Sequence, residues 1–269
     1  MNIFTRFSMY AVLLASWLAL ATTLVQAASD ESANEGLRIA QEMKSRDRGW
    51  GDTQAELVMI LRDAGGSSVE RKLSVSSLEV KDDGDKALTV FDSPLDVKGT
   101  AFLSFSHVLE ADEQWIFLPA LKRVKRIASR SKSGPFMASE FAFEDMSSFE
   151  VPKYQYEYLQ EDQVEGKDTH VIKQTPQYEY SGYSYQKVWV DKTDYIVRKI
   201  EYYDRKQALL KTLELKEYRQ YLDKYWRPHR SEMVNHQTGK STTLITRKIA
   251  FKTGLSERDF DQNSLRRAR

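Results

Sequence analysis

The second half of the chain is a succession of short segments in which apolar and polar residues alternate. Seven such segments, rich in Tyr, Val, Ile and Thr and separated by short polar turns, are Tyr154–Glu161, Thr169–Gln174, Tyr185–Asp191, Tyr195–Asp204, Leu209–Tyr218, Trp226–Asn235 and Ser241–Phe251. Alternation with a period of two is typical of β-strands that bury one face. Because all-β chains protect their edge strands by closure or cover, this spacing predicts a meander that closes, or nearly closes, into a barrel.

The part of the chain before these segments adds one helix and four further strands. An apolar stripe formed by Leu37, Ala40, Met43 and Ile39 predicts a helix over Ala33–Arg46, which Gly49 and Gly51 end. Strands are predicted at Gln54–Arg62, Val69–Val80, Ala87–Phe91 and Gln114–Leu118. No linker or low-complexity segment divides the chain, so we expect one domain over residues 28–269.

The first 27 residues have the three parts of a secretory signal peptide. They carry one positive charge at Arg6, the apolar run Tyr10–Ala21, and the small-x-small sequence Val25-Gln26-Ala27. An uncleaved membrane anchor is the alternative, but the apolar run is shorter than the ~20 residues that cross a bilayer. We therefore expect cleavage before Ala28 and a mature protein that is soluble in the periplasm.

Composition excludes several classes of protein. The sequence has no cysteine, which rules out disulfides and thiolate metal sites. It has 40 Lys and Arg residues, one of them Arg6 in the signal peptide, against 39 Asp and Glu residues. A general nucleic-acid-binding protein would carry a basic excess, so no nucleic-acid partner is expected. We expect a monomer.

No residue pattern of a known catalytic or cofactor site is present. The sequence has neither a His-Glu-x-x-His nor a Gly-x-Ser-x-Gly motif, and no phosphate-binding or calcium loop. Four histidines, at positions 107, 170, 229 and 236, lie on separate segments, and most acidic residues lie in turns or alternate outward with basic ones. We therefore predict a protein that is not an enzyme and that has no cofactor and no metal. A hydrolase is an alternative that rests only on the scattered His and acidic residues.

One segment in the middle of the chain interrupts the strand pattern. Residues Gly134–Met146 carry Phe136, Met137, Phe141, Phe143 and Met146 among small and acidic residues. The segment is too apolar for an ordinary solvent loop and too interrupted for a long strand. It predicts either a lid or short helix across the mouth of the barrel, or a plug in an ordinary core.

A basic run precedes this segment. Residues 122–132 contain six positive side chains and no acidic one: Lys122, Arg123, Lys125, Arg126, Arg130 and Lys132. Their alternation places charge on both faces of a strand, which indicates a mobile or edge segment. The charges could contact anionic lipid head groups or an acidic partner, or they could simply protect an edge strand from aggregation.

Several stretches together resemble the outer-membrane lipoprotein-sorting, LolA-like family, in the branch associated with resistance-nodulation-division-type exporters. The resemblance covers the mature chain and rests on Trp115–Ser129, Gly134–Asp145, Val188–Asp204 and Trp226–Gly239. It implies a mainly β fold: an unclosed antiparallel β-barrel with an N-terminal helix and a short helical or aromatic lid. The lid would cover an apolar cavity that receives acyl chains.

The resemblance implies a periplasmic carrier or chaperone that binds a lipid or lipidated protein for transfer toward the outer membrane. The candidate cavity or lid residues are Leu57, Met59, Leu61, Trp115, Phe117, Phe136, Met137, Phe141, Phe143 and Met146, each of which could equally be ordinary core. The expected partners are this lipid or lipidated protein and an inner-membrane exporter. Transient contact with the membrane is also expected. The alternative is a non-catalytic accessory or sensing subunit of an exporter, with the barrel as scaffold.

Overall fold

A computed structural model gives the structure of the protein over residues 29–267. The predicted signal peptide, residues 1–27, lies outside the described residues. Helix α1 covers residues 29–46 and helix α2 covers Gln262–Arg267. Between them lie strands β1 (Asp52–Arg62), β2 (Ser68–Leu78), β3 (Lys86–Ser93), β4 (Ala101–Phe105), β5 (Glu113–Leu118), β6 (Arg123–Arg126), β7 (Tyr154–Val164), β8 (Lys167–Pro176), β9 (Tyr183–Asp191), β10 (Val197–Asp204), β11 (Leu209–Tyr221), β12 (Tyr225–Asn235) and β13 (Ser241–Phe251).

All these strands form one antiparallel sheet that does not close. Its order is β6-β5-β4-β3-β2-β1-β13-β12-β11-β10-β9-β8-β7, so the two edge strands, β6 and β7, are consecutive in the sequence. Residues 127–153, which we call the strap, connect these two edges and contain short 3-10 turns at Phe136–Ala138 and Phe143–Met146. This confirms the predicted mainly β fold with an unclosed antiparallel barrel.

The seven strands predicted in the second half are all present, with ends shifted by a few residues. Strand β4 was not predicted, and the reason lies in its sequence, Ala-Phe-Leu-Ser-Phe, which has little alternation. Its inner-face residue Phe102 packs under the strap. Its outer-face residue Leu103 packs against Phe260, which precedes α2, and Leu265, which lies in α2. Because both faces of β4 are buried, the period of two that marks a half-buried strand is weak there.

Helix α1 packs closely against edge strand β7. A Cβ atom on Gly36 would lie 2.9 Å from the backbone nitrogen of Glu157, so only glycine permits this approach. Ile39 and Ala40 are fully buried against β8 and β9. Leu37, predicted to belong to the buried stripe, is 37% exposed, because the face toward the sheet runs through Gly36, Ile39, Ala40 and Met43.

The strap fills one half of the sheet interior. Phe136 is fully buried, with its ring centroid 5.0 Å from that of Phe102 and 5.6 Å from that of Phe143. Around these rings pack the inner faces of β1, β2, β3 and β5, represented by Met59, Leu73, Phe91 and Ile116. This half of the barrel is therefore a closely packed core.

Candidate functional site

The other half of the interior holds a cavity of about 1120 Å³ between α1, the strap and strands β7 to β12. Its wall is partly apolar and partly polar. The apolar and tyrosine side chains on it include Met43, Trp50, Phe149, Tyr154, Tyr178, Val188, Val197, Ile200, Tyr202, Leu215 and Tyr218. A cavity of this size is at or above the upper end of the range that small-molecule sites occupy, ~300–1,000 Å³.

Strand register explains the apolar part of the wall. Ile172 pairs with Val188, Val188 with Ile200, and Ile200 with Leu213 in neighbouring antiparallel strands. Residues directly opposite each other share a face of the sheet, so these side chains form one row across β8 to β11, of which Val188 and Ile200 line the cavity. Because side chains alternate along a strand, Leu215 lies on the same inner face two residues beyond Leu213.

A polar row lies next to the apolar one on the same inner face. Gln174 pairs with Gln186, Gln186 with Tyr202, and Tyr202 with Lys211. Gln174 and Gln186 are both 5% exposed, and the Gln174 amide nitrogen donates to the Gln186 oxygen at 2.5 Å. The Gln174 amide oxygen is buried without a hydrogen-bond partner.

The polar row is anchored to the strap by a buried ion pair. Lys211 Nζ lies 2.7 Å from an Asp145 carboxylate oxygen, and the two side chains are only 4% and 6% exposed. Lys211 also donates to the Glu140 carbonyl at 2.8 Å, and its Nζ lies about 5 Å from the ring centres of Tyr183 and Tyr202. The Tyr183 hydroxyl donates to Asp145. These contacts give both charged groups an ion-pair partner and hydrogen bonds inside the protein.

Glu144, next to this pair, has no basic partner. Its carboxylate accepts hydrogen bonds from the Tyr178 hydroxyl at 3.0 Å, the Ser181 hydroxyl at 2.8 Å and the Gly182 amide at 2.8 Å. Burial nevertheless raises the pKa of Glu144, with a further contribution from the nearby Asp145 charge. The cavity wall thus carries a carboxylate whose negative charge no cation of the described residues neutralises.

At the other end of the cavity, α1 is tied to the strap. Lys44 donates to the Glu150 carboxylate at 2.8 Å and to the Phe149 carbonyl at 3.0 Å, and Glu150 is 2% exposed. Asp85, in the turn between β2 and β3, lies close by. Burial raises the pKa of Asp85 to about 6; the Lys44 charge opposes this rise and the Glu150 charge adds to it.

None of the ten predicted cavity or lid residues lies on the wall of this cavity. Seven belong to the packed core under the strap: Leu57, Met59, Leu61, Phe136, Met137, Phe143 and Met146. Phe141 packs with Tyr183, Tyr202, Leu213 and Met233. Trp115 and Phe117 lie on the outer face of β5, with Phe260 and Leu265. On the strap, Phe136 and Phe141 are buried against the sheet.

The six basic residues do not form one compact cluster. Arg123, Lys125 and Arg126 lie on the exposed edge strand β6, with Lys122 just before it and Arg130 after it. Arg126 pairs with Glu113 at 2.7 Å. Lys132 instead turns toward the cavity, where it donates to the Asp112 carbonyl and where burial lowers its pKa. Half of the six basic residues thus lie on an edge strand.

Sequence reasoning missed the residues that line the cavity. Gln174 and Gln186 line the cavity, and Lys211 lies on the same inner face of the sheet. All three are polar, so a sequence pattern assigns them to solvent, whereas the register places them inside. The detectable signal is that they share a strand face with Ile172, Val188 and Leu213. When polar residues occupy the same strand face as apolar ones, instead of alternating with them, the interior that this face lines contains polar groups.

Two observations bear on other classes of site. None of the helices in residues 29–267 is long and apolar enough to cross a membrane. Within the described part of the chain, no group of three or more His, Asp or Glu side chains is arranged to hold a metal ion.

The fold and the cavity define a class of protein: unclosed antiparallel β-barrels, crossed by a connecting segment, with an internal ligand-sized cavity. Solved structures place the chain within that class. An outer membrane lipoprotein-sorting protein domain from Vibrio parahaemolyticus is 57% identical, with a TM-score of 0.86, over 87% of this chain and 99% of that one. The chain therefore belongs to the family of outer-membrane lipoprotein-sorting proteins.

More distant comparisons agree on the fold. A DUF1329 family protein from Desulfovibrio piger is 28% identical with a TM-score of 0.82, and a LolA superfamily protein from Nitrosomonas europaea is 18% identical with a TM-score of 0.67. Each alignment covers 87% of this chain and 99% of the other. A protein-family model described as that of an uncharacterized protein matches residues 83–267. None of the curated proteins compared with the chain matches it.

Proposed function

We propose that this protein is a single-domain periplasmic carrier that holds an acyl chain of a lipid or lipidated protein in its cavity and passes it toward the outer membrane. The observation that carries the proposal is the apolar wall that Val188, Ile200 and Leu215 form in a cavity of about 1120 Å³. The lipoprotein-sorting relative from Vibrio parahaemolyticus supports the direction of transfer.

The energetics suit reversible binding. Burying a chain of a dozen methylenes contributes roughly 10 kcal/mol, at ~0.8 kcal/mol for each methylene. Association costs an estimated 4–15 kcal/mol in lost freedom of motion, so only part of this free energy remains as affinity. Such a cavity can extract a lipid from a donor and still release it.

The wall also suits a ligand of variable shape. Met43 adapts to different chains because its thioether side chain repacks at low cost, and the tyrosines present an apolar ring with a polar tip. The exposed basic residues of β6 and its neighbours remain a proposed contact for anionic head groups or for an acidic partner protein.

Native mass spectrometry of the mature protein, purified from a periplasmic extract without detergent, tests the proposal. We expect one acylated species for each protein chain. Leu215→Trp should abolish the bound species because the larger side chain fills the cavity from β11. Val234→Trp is the matched control, since Val234 is 42% exposed on the neighbouring strand β12 and does not line the cavity.

An empty protein that also takes up no added lipid would contradict the carrier proposal. That result would favour the second function, a non-catalytic accessory or sensing subunit of an inner-membrane exporter. Loss of lipid in both tryptophan variants would show that the effect of Leu215→Trp is not specific to the cavity.

A further inference from the structure

Hydrogen-bond acceptors exceed available donors at one end of the cavity. Glu144 carries an unneutralised carboxylate, and Gln174 has a buried amide oxygen with no partner. Three neighbouring donors are already used: the Tyr178 hydroxyl, the Ser181 hydroxyl and the Gly182 amide all donate to Glu144. The Gln174 amide nitrogen donates to Gln186. A ligand group that reaches this end must therefore donate hydrogen bonds rather than accept them.

Contacts between neighbours place these two acceptors at the same end. On β7, Tyr156 pairs with Gln174, and Tyr154, two residues earlier, lies on the same strand face. The Tyr154 ring packs against the Tyr178 ring at 6.0 Å, and Tyr178 bonds Glu144. Tyr154, Tyr178, Gln174 and Glu144 all line the cavity. We call this set the acceptor end.

Charge on the rest of the wall does not offset Glu144. Four cations of the wall are paired: Lys44 with Glu150, Lys153 with Asp112, Arg227 with Asp47 and Arg46 with Glu42. Lys132 and Lys224 donate instead to the backbone carbonyls of Asp112 and Arg48. Lys211, on β11, is paired with Asp145. The raised pKa of Glu144 is consistent with a carboxylate that lacks a counter-charge.

We infer that the acceptor end receives the positively charged amine of an amphiphile, whose acyl chain lies along the apolar row. An ammonium group offers three donors and the missing positive charge, and it has no acceptor to conflict with Glu144 or Gln174. A carboxylate or a bare phosphate would instead meet a like charge in a site of low dielectric constant. This inference rests on the proposed carrier function and adds the class of head group.

The test compares three amphiphiles with the same chain at pH 7.5: dodecylamine, dodecanol and dodecanoate. Calorimetric titration of the delipidated mature protein should give the order amine, alcohol, carboxylate. The amine should bind at least about tenfold tighter than the alcohol, as expected when a charge-assisted hydrogen bond replaces a neutral one.

Glu144→Gln should remove the preference for the amine while dodecanol still binds, because the amide keeps the side-chain shape and loses the charge. Glu56→Gln is the control, since Glu56 pairs with Lys248 on the exposed outer face of β1 and β13. Thermal unfolding of both variants checks that each is folded.

Equal binding of all three amphiphiles, or an amine preference that survives in Glu144→Gln, would overturn the inference and leave the carrier proposal standing. Failure of all three amphiphiles to bind would contradict both the proposal that the cavity holds an acyl chain and the inference about the head group. Lysophosphatidylethanolamine and lysophosphatidylglycerol then distinguish the source of the amine. Selective binding of the ethanolamine lipid identifies an aminolipid, and binding of neither identifies a simple long-chain amine.

Discussion

Lys211 and Asp145 form an ion pair almost completely removed from water, with side chains only 4% and 6% exposed. Removing one partner of such a pair leaves an uncompensated buried charge, which costs about 3–5 kcal/mol. We expect Lys211→Met to lower the free energy of unfolding by that amount in urea titrations at pH 7.5. The double variant Lys211→Met/Asp145→Leu should recover most of the loss, because it removes both charges.

A pair of the same chemistry on the surface provides the comparison. Lys248 and Glu56 are 3.4 Å apart and 71% and 65% exposed. Lys248→Met should change the free energy of unfolding by at most about 0.5 kcal/mol, since solvent screens exposed pairs. A loss in Lys211→Met as small as this would show that Asp145 does not depend on its partner.

Asp85 predicts a pH-dependent contribution to stability. Its pKa of about 6 in the folded protein is higher than that of an unfolded aspartate, ~3.9. The folded state therefore binds the proton more tightly than the unfolded state does. The carboxyl lowers the free energy of unfolding by its full amount above pH 6, and this effect is absent at pH values well under 4. Asp85→Asn should stabilise the protein by roughly 1–2 kcal/mol at pH 7.5, after allowance for partial exposure.

Thermal or urea unfolding of Asp85→Asn and the parent protein at pH 7.5 and pH 4 checks this expectation. The stabilisation should shrink to a small fraction at the lower pH. Asp96→Asn, at an exposed turn position, should have little effect at either pH. A stabilisation independent of pH would mean that the carboxyl charge is not its cause.

At the scale of whole elements, the sequence predicts strands better than it predicts what their faces contact. The positions of β7 to β13 follow from alternation, and β13 begins and ends at the predicted residues. The cavity wall does not follow in the same way. Gln174 and Gln186 have the polarity of surface residues, and only the long-range pairing of β8 to β11 turns them inward. Whether an inner residue meets the strap or the cavity depends on where the strap packs.

The edge strand β6 is short and carries Arg123, Lys125 and Arg126 on exposed positions. Charged residues on an unpaired edge discourage strands of other molecules from pairing with it. We expect Arg123→Thr/Lys125→Thr to aggregate faster than the parent protein, measured by light scattering during mild heating. The pair Lys173→Thr/Lys187→Thr, on the interior strands β8 and β9, should not, because each of these residues is paired with a neighbouring strand on both sides.

The same variants separate the two interpretations of the basic run. Unchanged aggregation together with weaker binding to vesicles of phosphatidylglycerol would favour contact with anionic head groups over edge protection. Faster aggregation with unchanged vesicle binding would favour edge protection alone.

For the molecule as a whole, one sheet encloses two interiors of different character. The strap core around Phe136 is close-packed, and the cavity beside Leu215 is not. We expect these to be separable by mutation. Phe136→Ala should lower the free energy of unfolding by about 3–5 kcal/mol, as for other large aromatic truncations in cores, and leave lipid occupancy unchanged below the unfolding transition. Leu215→Trp should abolish lipid occupancy and leave the free energy of unfolding within about 1.5 kcal/mol of the parent value.

Urea unfolding and native mass spectrometry on the two variants measure both quantities side by side. The expectation follows from geometry, because Phe136 does not line the cavity and Leu215 does. If Phe136→Ala also emptied the cavity while still folded, the strap core would be coupled to the ligand, and the strap would have to move when lipid enters or leaves. If both variants kept their lipid, the acyl chain would lie elsewhere on the sheet. Only the opposite responses of the two variants fit a carrier whose stability and ligand site occupy separate halves of one barrel.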